Sequence, residues 1–143
     1  MRTKLIKNER GAALIEAAVT IPLILLISVA IFEFGRAYQT WQVVTNAARE
    51  GARVAILAGT TDDQVRTAVR NYMTAGRLDR AGTAPISVVR NAPLTGSWTA
   101  STITISYPFE FIMLNPIVRM VVPNSTTGAP LTMTAGATMR NEG

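Results

Sequence analysis

The side chains that could carry out chemistry are few in this sequence. Among 143 residues there is no cysteine and no histidine, so the usual nucleophilic thiol, the commonest general base and the commonest metal ligand are missing. Beyond the N-terminal helix predicted below, Asp62 and Asp63 are the only adjacent acids. They lie where a second helix should begin, and acids there stabilise the helix dipole. We therefore expect no enzymatic activity, no metal, no cofactor and no small-molecule substrate.

One carboxylate has no such ordinary explanation. Glu16 is the only charged residue in the mostly apolar run 12–32, and an acid at the centre of a membrane helix costs roughly 2.5–3.5 kcal/mol. Gly11, five residues earlier, has no side chain to shield the peptide bond that joins it to Ala12. Cleavage of that bond would create a positive amine at Ala12, four residues from Glu16. These three residues are the candidate site: Gly11 and Ala12 flank a bond that is open to cleavage, and Glu16 would pair with the amine that cleavage creates.

Two other interpretations of the same stretch remain open. Glu16 could lie near the cytoplasmic surface and extend its carboxylate into water, assisted by the helix dipole. Alternatively, the segment could be a secretory signal peptide, since Ser28-Val29-Ala30 has the small-x-small pattern that precedes a cleavage site. The N-terminus of the mature protein separates the three hypotheses: Ala12 for processing after glycine, Met1 for a static anchor and Ile31 for a secreted protein.

The elements that position this site begin with a membrane span. A helix of about 21 residues is roughly 30 Å long, which matches a hydrocarbon core. Four basic residues precede the run and only Arg36 lies within fifteen residues after it; the four are Arg2, Lys4, Lys7 and Arg10. The positive-inside rule therefore places the N-terminus in the cytoplasm. We predict a basic leader at 1–11, a transmembrane helix at 12–33 and an extracytoplasmic domain at 34–143.

The helix is expected to continue beyond the membrane to about residue 58, because an apolar and small-residue stripe of helical period runs on from Phe34 to Ala55. Tyr38 and Trp41 suit the outer membrane boundary. Ala47, Gly51 and Ala55 are four apart and would allow a close approach, either by the protein's own sheet or by a neighbouring subunit.

The rest of the chain predicts a small α+β domain. A capped amphipathic helix should run from about Thr61 to Gly76, followed by alternating strands at 86–89, 99–107 and 131–137 and turns at 91–96 and 124–130. The apolar segment 109–122 is too short to span a membrane, so we expect a buried short helix or loop over the sheet, or contact with the membrane surface. A shared core is expected from Phe34, Trp41, Val65, Val69, Tyr72, Ile103 and Ile105.

The order of residues at the N-terminal junction resembles a known family. Gly11 followed by Glu16 is similar to the processing site of type IV prepilins, and the continuation resembles the TadE-like family, minor pilin-like proteins of the tight-adherence (Flp) pilus. The resemblance covers residues 10–53 and rests on four blocks: Arg10-Gly11-Ala12-Ala13-Leu14-Ile15-Glu16, then Pro22, then Glu33-Phe34-Gly35-Arg36-Ala37, then Thr45-Asn46-Ala47-Ala48-Arg49-Glu50-Gly51-Ala52-Arg53. The strand ending in Met139-Arg140 is similar more weakly.

The resemblance implies a pilin-like fold and a structural role. It implies cleavage after Gly11 by a prepilin peptidase, location in the cytoplasmic membrane or the filament, and partners among pilin subunits, minor pilins and the assembly platform. No nucleic-acid partner is expected, because no basic stripe with interleaved aromatic residues is present. The alternative is a static single-pass protein whose outer domain binds a ligand or partner.

The basic leader generates the first prediction, which concerns topology. A reporter that is active only outside the cytoplasm should work when it is fused after Gly143, because the leader holds the N-terminus inside. The same reporter fused before Met1 should be silent. If the two fusions gave the reverse pattern, the charge argument would fail for this chain.

Overall fold

The architecture is α+β, as predicted. A computed structural model describes residues 9–93, 98–121 and 131–141. Its elements, in chain order, are α1 (Glu9–Ala55), α2 (Asp62–Ala75), β1 (Ile86–Pro93), β2 (Thr99–Phe109), α3 (Leu114–Val121) and β3 (Leu131–Arg140). The three strands form an antiparallel sheet in the order β1-β2-β3. The C-terminal half of α1, called its outer half below, packs on this sheet, and α2 packs mainly on α1 with some contact to β1.

Helix α1 is a single element of 47 residues, about 70 Å long at 1.5 Å per residue. Pro22 lies within it and does not end it, in keeping with the tolerance of membrane helices for proline. The helix ends at Ala55 rather than at about residue 58, and Gly59 lies beyond it in the left-handed conformation with φ +78°. The Thr60 hydroxyl lies 2.8 Å from the carbonyl oxygen of Leu57 and 3.1 Å from that of Val54, and it donates its one proton at this end of the helix.

Helix α2 begins with the predicted cap. The Thr61 hydroxyl accepts a hydrogen bond from the Gln64 amide at 3.3 Å, and the Gln64 side chain accepts one from the Thr61 amide at 2.8 Å. This reciprocal capping box satisfies two N–H groups that would otherwise have no partner. Gly76 ends the helix, and a Cβ placed there would come 2.4 Å from a methyl group of Val43. The glycine therefore allows α1 to pass close to the end of α2.

The core lies between the helices and one face of the sheet. Alternation along β2 buries Ile103, Ile105 and Tyr107 and leaves Thr102, Thr104 and Ser106 partly exposed, as predicted. The helices cover the apolar face with small residues from α1 and larger ones from α2. The buried members are Val44, Ala47, Ala48, Ala52, Ala55, Val65, Val69 and Met73.

Three of the seven predicted core residues are wrong. Phe34, Trp41 and Tyr72 are 68%, 45% and 40% exposed. The predicted stripe of α1 is correct from Val44 on, where Ala48, Ala52 and Ala55 are also buried. Before Val44 the buried line passes through Glu33 and Thr40, and Phe34 and Trp41 lie roughly a quarter turn from it at about 100° per residue. Tyr72 lies at the same angle from Met73, the buried residue that follows it on α2.

Two predicted boundaries also change. Strand β1 continues to Pro93 through an irregularity in its pairing between Val89 and Ala92, where Asn91 has φ 51°, so only 94–96 of the predicted turn falls outside the strand. Residues 94–97 and 122–130 lie outside the described residues, and with them the turn predicted at 124–130.

The segment 109–122 does contain a short helix, α3, but its principal described contact is with α1.

The small-residue stripe of α1 packs within the subunit. Ala47, Gly51 and Ala55 are buried, and a Cβ added to Gly51 would lie 2.5 Å from Cγ2 of Val69 and 3.3 Å from Cγ2 of Ile103. Close packing against the protein's own sheet and second helix, one of the two predicted uses, is therefore the one that the structure shows.

Gly51→Val should destabilise the outer domain by about 1–3 kcal/mol, the usual cost of overpacking a well-filled core. Gly35→Val is the matched control, because a Cβ at Gly35 meets nothing within 4 Å, and it should unfold like the parent. Thermal unfolding of the full chain in detergent, followed by tryptophan fluorescence, measures the difference. Equal midpoints for Gly51→Val and the parent would show that the packing at this glycine is wrong.

Candidate functional site

The predicted processing bond lies within α1, whose described part begins at Glu9, so Gly11 and Ala12 are both helical. A glycine within a helix costs about 1 kcal/mol relative to alanine. Gly11 therefore makes the helix around this bond easier to open.

The Glu16 side chain is exposed on the surface of α1. Among residues 9–93, 98–121 and 131–141, it accepts no hydrogen bond and forms no ion pair, and its neighbours Leu14 and Ile15 are exposed apolar side chains. All three predicted site residues therefore lie within the first two to three turns of one helix. Any partner for Glu16 has to come from beyond the described contacts of this chain.

A second carboxylate on α1 was not singled out by the sequence reasoning. Glu33 is 0% exposed. Its Oε1 accepts a hydrogen bond from the Met113 amide at 2.6 Å, and its Oε2 accepts one from the Arg36 guanidinium at 3.1 Å. Both oxygens are thus satisfied by strong, charge-assisted contacts. The available signal was an acid followed three residues later by an arginine at the outer end of the apolar run.

Arg36 connects the same point of α1 to the segment after β2. It donates to the carbonyl oxygen of Glu110, and its guanidinium carbon lies 4.4 Å from the centre of the Phe109 ring. Phe109 in turn meets Phe111 edge to face, with 5.2 Å between the ring centres. Glu33 and Arg36 together therefore fix the backbone of residues 110–113 against α1.

An open groove of about 330 Å³ lies beside this cluster, between α1, the end of α2 and the end of β2. Arg80 forms an ion pair with Glu110 at 2.7 Å, and Arg36 is held by Glu33. Arg77 and Asp79 also line the groove. Within the described ranges no group of three or more acidic side chains is close enough to hold a metal ion.

Further along α1, the stretch 45–53 contributes structure rather than chemistry. Gly51 and Ala52 are buried, whereas Glu50 and Arg53 form an ion pair at 2.6 Å with both side chains partly exposed. The hydrogen bond from Arg53 lowers the pKa of the Glu50 carboxyl below its ordinary value. The stabilisation from this pair is thus present at neutral pH and lost as the pH falls through that pKa, and for such an exposed pair it amounts to about 0–1 kcal/mol.

The fold and the site define a class of protein: a small α+β domain carried on the outer half of one long helix. That helix contains an apolar stretch long enough to cross a membrane, and none of this stretch is buried by the rest of the chain. This is consistent with a single-pass membrane anchor.

The family comparison agrees with the residues that carry the site. Residues 11–53 match the model of the family described as TadE-like protein, which confirms the predicted resemblance over that stretch and suggests an association with the tight-adherence pilus. The matched residues include Gly11, Ala12, Glu16, Glu33 and Arg36. No curated protein and no solved structure matches the chain.

Proposed function

We propose that this protein is a minor pilin-like structural subunit of a tight-adherence (Flp, type IV) pilus assembly, and that it is not an enzyme. The observation that carries the proposal is the match over residues 11–53, because it spans the glycine, the acid in the apolar helix and the start of the packed outer half. The family suggests the pilus association, and the residues suggest how the subunit takes part in it.

Processing is the first step of the proposed function. A prepilin peptidase removes residues 1–11 by cutting between Gly11 and Ala12 on the cytoplasmic side of the membrane. Support comes from the glycine and from the basic leader before it. The cut leaves a helix whose new N-terminal amine lies about 6 Å along the axis from Glu16.

Assembly is the second step. The exposed Glu16 carboxylate lies on a mostly apolar stretch of its helix, so an unpaired charge there is costly within a bilayer. The amine of Ala12, on the same chain or on a neighbouring subunit, removes that cost. Glu16 is thereby a selective contact for other pilin subunits, for minor pilins and for the assembly platform, and the unprocessed precursor lacks the amine that completes it.

The continuity of α1 links the membrane segment to the outer domain. The helix runs without a break from Glu9 to Ala55, and its outer half forms part of the domain core. Any displacement of the membrane segment therefore moves the domain with it. We propose a location in the cytoplasmic membrane with the N-terminus inside and residues 34–143 outside, before or instead of entry into the filament.

The alternative of a static anchor with a ligand-binding domain has one observation in its favour, the groove beside Arg36 and Arg80. Arg36 and Arg80 are both held in ion pairs, and this interpretation leaves Gly11 and Glu16 without a role. It predicts a mature protein that still begins at Met1.

Gly11→Val should leave a full-length, membrane-bound precursor, because the added side chain crowds the bond to be cut. The parent should begin at Ala12. Mass spectrometry of the intact protein, isolated from cells that contain the peptidase, measures both N-termini. Ala18→Val places the same branched side chain further along the helix and should be cut normally. A parent protein that retains residues 1–11 would falsify the processing step.

Glu16→Ala should insert into the membrane and be cut like the parent, yet fail to co-purify with the pilus machinery. The substitution removes a charge from the apolar helix, so insertion improves while the contact with the amine is lost. Glu16→Gln, which keeps the shape but not the charge, should show the same loss. Normal co-purification of both variants would favour a Glu16 that only extends towards water.

A further inference from the structure

The segment between β2 and α3 is held at one level of the long helix. The Met113 amide lies 2.6 Å from the Glu33 carboxylate, and the Glu110 carbonyl accepts a hydrogen bond from Arg36. Residues 110–113, which we name the contact loop, therefore cannot move along α1 without breaking charge-assisted bonds. Glu33 is also the last residue of the predicted membrane span, so the contact loop lies at the outer edge of the hydrocarbon region.

The contact loop exposes large apolar side chains at this level. Ile112 is 59% exposed and Met113 is 45% exposed. On α1, Ile31 and Phe32 are exposed at the same height. Tyr38, also exposed, lies five residues further out, about 7.5 Å along the axis, where the headgroups of a lipid leaflet lie and where aromatic side chains are enriched.

The two bonds to Glu33 have a physical reason in this setting. A carboxylate at the edge of the hydrocarbon region has little water around it, so it must be paired. The Met113 amide satisfies one oxygen and Arg36 satisfies the other. The contact loop supplies one of those two donors, and in return its position is fixed relative to the bilayer.

We propose that the contact loop is a lipid-binding site: Ile112 and Met113 insert into the outer leaflet of the membrane that α1 crosses, and Glu33 is the residue that positions them. The proposal rests on the membrane anchoring of the proposed function. The occupant is lipid because the hydrogen bond from the Met113 amide to Glu33 holds the loop at the end of the span, at the level where Ile31 and Phe32 are also exposed.

The absence of cysteine from the chain allows the proposal to be tested with single nitroxide labels. Full-length protein carrying Ile112→Cys, Leu25→Cys or Leu57→Cys is reconstituted into vesicles of phosphatidylcholine and phosphatidylglycerol. The collision rates of each label with oxygen and with a water-soluble nickel complex are then compared. Leu57 is an exposed apolar residue far above the span and is the aqueous control, whereas Leu25 is the control within the bilayer.

The label at position 112 should collide with oxygen severalfold more, relative to the nickel complex, than the label at position 57. If the label at position 112 collides like the one at 57, while the label at 25 shows the oxygen preference of the bilayer interior, the contact loop does not bind lipid. If the label at 25 also collides like the one at 57, the anchoring itself is wrong and the proposed function fails with it. Met113→Cys provides an independent second label should Ile112→Cys not fold.

The positioning role of Glu33 is tested against Glu50, because each of these glutamates forms an ion pair with an arginine three residues later. Glu33→Ala should increase the mobility of the label at 112 and reduce its oxygen preference, whereas Glu50→Ala, which breaks the equivalent pair with Arg53, should change neither. Glu33→Gln keeps an acceptor for the Met113 amide and should give an intermediate result. An unchanged label at 112 in Glu33→Ala would overturn the positioning role.

Discussion

The structure depends on one close contact, the approach of α1 to Val69 of α2 and Ile103 of β2 at Gly51. The outer half of α1 offers the domain small side chains, and the sheet and α2 supply the larger ones. Because nothing bulky separates the backbone of α1 from these partners, the helix becomes part of the core rather than a stalk beneath it. The outer domain is thereby fixed to the anchor.

Helix α1 must then be stable both in lipid and in water. Its two unusual carboxylates, Glu33 and Glu16, are accommodated in different ways. Glu33, at the outer end of the span, is paired within the subunit by Met113 and Arg36. Glu16, near the inner end, has no partner among the described residues, although an intramembrane charge is costly. A charge satisfied within its own chain supports the fold, and a charge left exposed on an apolar helix is suited to a contact between subunits.

Much of the fold could be predicted because its signals are local. The capping box at Thr61 and Gln64 and the alternation along β2 depend on residues near each other in the sequence. Helix α1 was predicted from the apolar run 12–32 and from the stripe of helical period that continues it to Ala55. The buried face of α1 could not be chosen from its period alone, since Phe34, Tyr38 and Trp41 form an equally regular stripe.

The same difference between local and distant signals applies to the candidate site. Gly11, Ala12 and Glu16 are neighbours in the chain, so their pattern was visible. The role of Glu33 was not, because its partner Met113 is 80 residues away and a single sequence gives no sign of a contact at that separation. The short helix α3 was predicted, with a position over the sheet and contact with the membrane surface both left open. The segment before it is held by Glu33 and Arg36 on α1, which is again a contact between residues far apart in the sequence.

The contact loop also bears on whether the subunit stays in the membrane or leaves it. In the bilayer, the exposed side chains of Ile31, Phe32, Ile112 and Met113 are covered by lipid. A subunit withdrawn from the bilayer would expose them to water, at a cost of about 25 cal/mol for each Å² of apolar surface. Entry into a filament therefore requires a neighbouring subunit that covers the contact loop as well as the apolar helix. A subunit that remains at the base of the pilus needs no such neighbour for the contact loop, and Glu16 is then the group that still calls for a partner.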